Sequence, residues 1–109
     1  MSSNQQNKLN DEVNHVIKVL GDDHILCIIG NLQGGTMRFN ELQRALNLNP
    51  TTLTSRLNTL EAEGIIARHT ETVDKISVVY ELTEKGKGMM PIIMAFETFA
   101  KKFPLSKKI

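Results

Sequence analysis

A mainly α fold with a small β wing (α+β) is predicted by three observations. Apolar residues recur at helical spacing along most of the chain, and a short turn separates two of the resulting helices. The second of those helices is followed at once by two runs rich in β-branched residues with a polar stretch between them. An apolar share of 40% can bury a core, and 109 residues fit one compact domain. The expected division is a disordered segment over 1–8 and a single domain over 9–103.

The elements follow in order. Leu9, Val13, Val16, Ile17 and Leu20 fall at helical spacing and predict a first helix over about Asn10 to Leu20. Gly21 closes it, and Asp22 caps the next helix, because its carboxylate accepts from the free amides of a first turn. That helix runs to about Leu32 and is nearly apolar all round, which marks it as central. Gln33-Gly34-Gly35-Thr36 reads as a turn. A short helix from Arg38 turns Phe39, Leu42, Ala45 and Leu46 inward, and Asn47-Leu48-Asn49-Pro50 turns the chain again. Thr51 to Glu63 is the next helix, with Leu53, Leu57 and Leu60 on its inner side and Gly64 as a left-handed cap. Ile65 to His69 and Ser77 to Leu82 are the two expected strands, flanking polar Thr70 to Lys75. Thr83 starts a last helix through about Lys102, with Met89, Ile92, Ile93, Phe96 and Phe99 apolar; Pro91 either begins its regular part or kinks it.

Helix, turn, helix, strand, strand, helix is the order of a winged helix-turn-helix. In that arrangement the first helix of the pair braces the second, whose N-terminal half enters the major groove. Such a helix must bury one stripe and present compact polar groups on the other. Thr51 to Glu63 meets both demands. Thr52, Ser55, Arg56 and Asn58 are the candidates for base or groove contact, and Arg38, Thr51 and Thr54 for phosphate. Arg68 and Lys75 fall on the wing, where the flanking backbone or minor groove would lie. Glu61 and Glu63 occupy only the far end of the helix.

Composition narrows the function classes. A net charge of +1 makes no case for nucleic acid by itself, but all four arginines (Arg38, Arg44, Arg56 and Arg68) fall within one short segment. The absence of tryptophan, with one tyrosine and four phenylalanines, argues against stacking platforms for single strands. A single cysteine, Cys27, forms no intramolecular disulfide and suits a reducing compartment. Met1 to Asn10 lacks the apolar core of a signal peptide, and the longest apolar run, Ile25 to Ile29, is too short to cross a bilayer. A cytoplasmic protein with no membrane partner is expected.

Other chemistry has little support. Cys27 follows His24 by three residues on one helix face, but a metal site needs at least two further ligands, so none is expected. Lying within an apolar run, Cys27 reads as a small buried hydrophobe, and His24 as a partly buried helix residue. No phosphate loop, nucleophile elbow or paired-carboxylate setting is present, so neither an enzyme nor a cofactor is expected. The last helix, with Met89, Met90 and Met94 beside its isoleucines and phenylalanines, is too apolar for one face. That surplus points to a second copy of the chain, met by the first and last helices.

The stretches Arg38-Phe39-Asn40-Glu41-Leu42, Leu57-Asn58-Thr59-Leu60-Glu61-Ala62-Glu63-Gly64 and Tyr80-Glu81-Leu82-Thr83-Glu84-Lys85-Gly86, followed by Met90-Pro91-Ile92, resemble the HxlR-type transcriptional regulators. The resemblance spans roughly residues 20 to 100. It implies a bacterial winged-helix homodimer, paired through its terminal helices, that binds a pseudo-palindromic DNA operator. His24 stands where the family usually has tryptophan, and Lys75-Ile76-Ser77 replaces its proline pair before the second wing strand. The family's cysteine ahead of the first helix is also missing, so thiol sensing is not carried over. MarR-type regulators share the Leu60-Glu61-Ala62-Glu63-Gly64-Ile65-Ile66-Ala67-Arg68 pattern but are usually longer. The alternative from another class is a winged-helix protein-interaction module that never touches DNA.

Overall fold

The computed structural model describes residues 10–72 and 76–106. The expected disordered segment 1–8, Leu9 and the wing residue Lys75 lie outside them. In chain order the elements are α1 (Asp11–Leu20), α2 (Asp23–Leu32), β1 (Met37–Arg38), α3 (Phe39–Leu46), α4 (Pro50–Ala62), β2 (Ile66–Thr72), β3 (Ile76–Leu82), α5 (Glu84–Lys87) and α6 (Met90–Lys102). This is a winged helix: a helical body with a three-stranded antiparallel sheet in the order β1-β3-β2.

The helix starts are set by side chains that accept orphan amides. Asn10 Oδ1 accepts from Val13 N at 2.8 Å to cap α1, and Asp22 Oδ1 accepts from Ile25 N at 3.1 Å to cap α2. Asn49 Oδ1 accepts from Thr51 N at 2.7 Å, and Pro50 takes the first turn of α4, where its missing N–H costs nothing. α4 therefore begins at Pro50, one residue before the expected start at Thr51.

The core gathers around α2. Ile25, Ile28, Ile29 and Leu32 are buried there and meet Leu42 of α3, Leu53, Leu57 and Leu60 of α4, and Ile65, Ile66, Tyr80 and Leu82 beside them. Packing both helices against one apolar pillar holds the α3–α4 pair at a set angle, and that angle places the outer face of α4.

Several expectations give way here. Cys27 is exposed, not buried. The buried stripe of α2 is Ile25, Ile28, Ile29 and Leu32, and Cys27 is two residues from both Ile25 and Ile29, roughly 200° round the helix. Ala45 is likewise exposed, while Leu42 is buried and Phe39 and Leu46 half-buried. The strand β1 was not foreseen, because two residues carry no readable period; it pairs Met37 with Tyr80 and Arg38 with Val79. The wing is also longer than expected: Thr70, Glu71 and Thr72 pair with Val78, Ser77 and Ile76. A strand made of polar residues looks like a loop in sequence.

The last helical stretch is divided at Gly88 and Met89, and Pro91 lies in the first turn of α6, so it begins the regular helix and does not kink it. Gly86 fixes how α5 is seated. A β-carbon there would collide with the carbonyl oxygen of Ile65, so only glycine allows α5 to seat on the turn after α4. Thr83 caps α5 and ties the same turn, its Oγ1 donating to the Gly64 carbonyl at 2.6 Å. Gly64 itself has φ +73, the left-handed conformation expected of it.

Candidate nucleic-acid interface

α4 separates its side chains cleanly. Leu53, Leu57 and Leu60 are 0%, 2% and 0% exposed, whereas Thr51, Thr54, Ser55 and Asn58 face outward and Thr52 is half-buried. Pro50, Thr51, Thr54, Ser55, Asn58 and Thr59 line one shallow, open depression along the helix. Every side chain on that surface is uncharged and short. It can approach a nucleic-acid groove closely without the entropy cost of ordering long chains.

Arg56 is held differently. Its Nε donates to Asp22 Oδ2 at 2.8 Å, with the two side chains 31% and 27% exposed. Asp22 thus uses one oxygen to cap α2 and the other to hold α4. Nothing in a linear pattern shows that Asp22 lies beside Arg56. Just past the C-terminal end of α4, His15 Nε2 lies 2.8 Å from Glu63 Oε2, and Lys85 Nζ donates to the Glu63 carbonyl at 2.6 Å. The helix is therefore fastened to α1, α2 and the start of α5.

Arg38 is turned toward the wing. Its Nε donates to Ser77 Oγ and its Nη2 to Glu71 Oε1, each at 3.2 Å. Glu71 and Ser77 face one another across the hairpin, so Arg38 grips both members of one rung. Its backbone N–H donates to Glu41 Oε1 at 2.8 Å at the start of α3. Arg68 Nε lies 3.7 Å from Glu61 Oε2, linking the base of the wing to α4.

Arg44, not among the candidates the sequence pattern offers, is exposed and, with Arg38, Phe39, Ser77 and Val78, lines a groove of about 490 Å³ between α3 and the wing. A helical wheel points to it, since Arg44 is two residues from both Leu42 and Leu46 and so lies opposite the inner side of α3. Elsewhere, ligand atoms of Asp22, Asp23 and His24 approach within 4.8 Å of one another. Both Asp22 oxygens already accept, one from the Ile25 amide and one from the Arg56 guanidinium. Among the described residues no helix is long and apolar enough to cross a membrane.

Comparison with known proteins gives this geometry a family. The profile of the HxlR-like helix-turn-helix domain matches residues 19–107. The chain belongs to the HxlR-like family. Among its relatives, the HTH-type transcriptional regulator YvaP of Bacillus subtilis is 35% identical over 78 residues, covering 71% of this chain and 72% of that one. An HTH-type transcriptional regulator of Methanocaldococcus jannaschii is 36% identical over 86 residues, covering 77% and 80%. The reduced form of the transcriptional regulator YodB from B. subtilis superimposes with a TM-score of 0.80 at 25% identity, covering 89% of this chain and 96% of YodB. The redox regulator HypR in its reduced form gives a TM-score of 0.75 at 28% identity, with coverage of 84% and 92%. As an HxlR-like protein the chain is a DNA-binding transcriptional regulator of the helix-turn-helix class, a family of regulators and not of enzymes.

Proposed function

We propose that this HxlR-like regulator is one domain over 9–103 that binds a specific, pseudo-palindromic operator as a homodimer, with α4 of each copy in a major groove. The observation that carries the reading is the division of α4 into a buried leucine side and an exposed face of Thr51, Thr54, Ser55 and Asn58. A helix used for protein docking would expose aromatic or aliphatic anchors on that face, and this one has none. Thr52, Ser55 and Asn58 address the groove, and Thr51 and Thr54 address phosphate. Arg38, Arg44, Arg68 and Lys75 supply backbone contacts from the brace helix and wing. Arg56 supports α4 through Asp22.

The homodimer rests on the terminal helices. None of the 13 residues of α6 is buried, and Ile92, Met94, Phe96 and Phe99 are 39%, 53%, 51% and 53% exposed. Val13, Val16 and Ile17 of α1 are exposed too. Two apolar helices left open at the ends of one chain are the surfaces that a second copy would cover. Two α4 helices related by a two-fold axis meet successive major grooves about 34–36 Å apart.

Selection of bound duplexes from a random pool tests the whole reading. Enrichment of a two-fold motif with half-sites about one helical turn apart is the expected result. Failure to enrich any duplex, at salt low enough for non-specific binding, would overturn it.

A further inference from the structure

Guanine in the major groove is read above all by an arginine fork on O6 and N7, so a recognition helix that favours G·C needs a guanidinium facing outward. The helix α4 contains one arginine, Arg56, and no lysine. That arginine is fastened to Asp22 at 2.8 Å, and Asp22 is fixed in turn by the Ile25 amide it caps. The other arginines do not replace it. Arg38 grips Glu71 and Ser77, Arg68 lies beside Glu61, and Arg44 belongs to the groove between α3 and the wing. The outward surface of α4 is left with Thr51, Thr54, Ser55, Asn58 and Thr59, and the Thr59 hydroxyl donates within the helix to the Ser55 carbonyl.

We propose that α4 reads A·T base pairs, with Asn58 as the adenine-reading residue, and that Asp22 sets this preference by withholding Arg56 from the groove. The inference rests on the DNA-binding reading above. A carboxamide offers one acceptor and one donor side by side, which match the N6 amino group and N7 of adenine and no other base edge in the major groove. Asp22 thus touches no DNA, yet decides which base the helix is able to favour.

The test is selection from a random duplex pool with the wild type, Asn58→Ala and Asp22→Asn. The first substitution is on an exposed side chain, and the second keeps a cap acceptor while removing the charge that holds the guanidinium. The position where Asn58→Ala alters the base preference is the one Asn58 faces. The wild type should enrich A·T there, and Asn58→Ala should lower that preference about tenfold while other positions persist. Asp22→Asn should raise G·C at a neighbouring position. Enrichment of G·C by the wild type at the Asn58 position overturns the proposal while leaving DNA binding intact. So does an Asn58→Ala profile identical to that of the wild type, or an Asp22→Asn variant with no gain of G·C. Absence of any enriched duplex in the wild type overturns the DNA-binding reading itself.

Discussion

Asp22 and Arg56, 34 positions apart, meet at 2.8 Å and join the start of α2 to the middle of α4. A charge-assisted hydrogen bond contributes more than a neutral one, but this pair is about 30% exposed and solvent screens part of it. Arg56→Ala should therefore lower unfolding free energy by about 1 kcal/mol. Asp22→Ala should cost about 1 kcal/mol more, because the cap on Ile25 N is lost as well. Urea denaturation of both variants and the double mutant checks this; additive losses would show that the two side chains do not interact.

Leu57 faces the core from α4 and is 2% exposed. Leu57→Ala leaves a cavity among residues already fixed by α2, and should cost roughly 2–5 kcal/mol. A shift of the urea midpoint with an unchanged slope would match that origin.

Gly86 is packed on backbone, which cannot move aside as a flexible side chain can. Gly86→Ala should destabilise the fold by roughly 1–3 kcal/mol, more than alanine at Gly30, where a β-carbon would meet nothing within 4 Å. Thermal unfolding of the two variants side by side gives the comparison. Equal melting temperatures would refute the assigned clash.

Phe96 and Phe99 are half-exposed on a helix with no buried residue. Phe96→Glu and Phe99→Glu should shift the protein toward monomer in sedimentation velocity, with little change in circular dichroism. An unaltered sedimentation coefficient across a wide concentration range would remove α6 as a self-association surface.

Arg44 lines the groove between α3 and the wing beside Arg38. As a phosphate contact, it should weaken binding to all duplexes alike when replaced by alanine. The slope of log affinity against log salt should fall by about 1. A slope equal to that of the wild type would remove Arg44 from the interface.

Much of this protein is legible along the chain because its signals are local. The cap at Asp22, the leucine stripe of α4 and the left-handed Gly64 each follow from neighbours within one or two helical turns, and each is where the pattern puts it. The winged order follows from periods of 3.6 and 2 and from the turns between them. The polar face of α4 was equally readable, since Thr51, Thr54, Ser55 and Asn58 avoid the positions of Leu53, Leu57 and Leu60.

What the tertiary structure alone decided concerns pairs distant in sequence. Whether Arg56 stands free or is held depends on where Asp22 comes to rest, and no pattern in either helix reveals that distance. The same holds for Arg38 on the Glu71–Ser77 rung, for the two-residue strand β1, and for Gly86 against Ile65. Cys27 and the outer side of α6 show the complementary limit. Periodicity tells which residues share a face of a helix, but only packing tells which faces are covered, because burial is a property of the neighbours brought together by the fold.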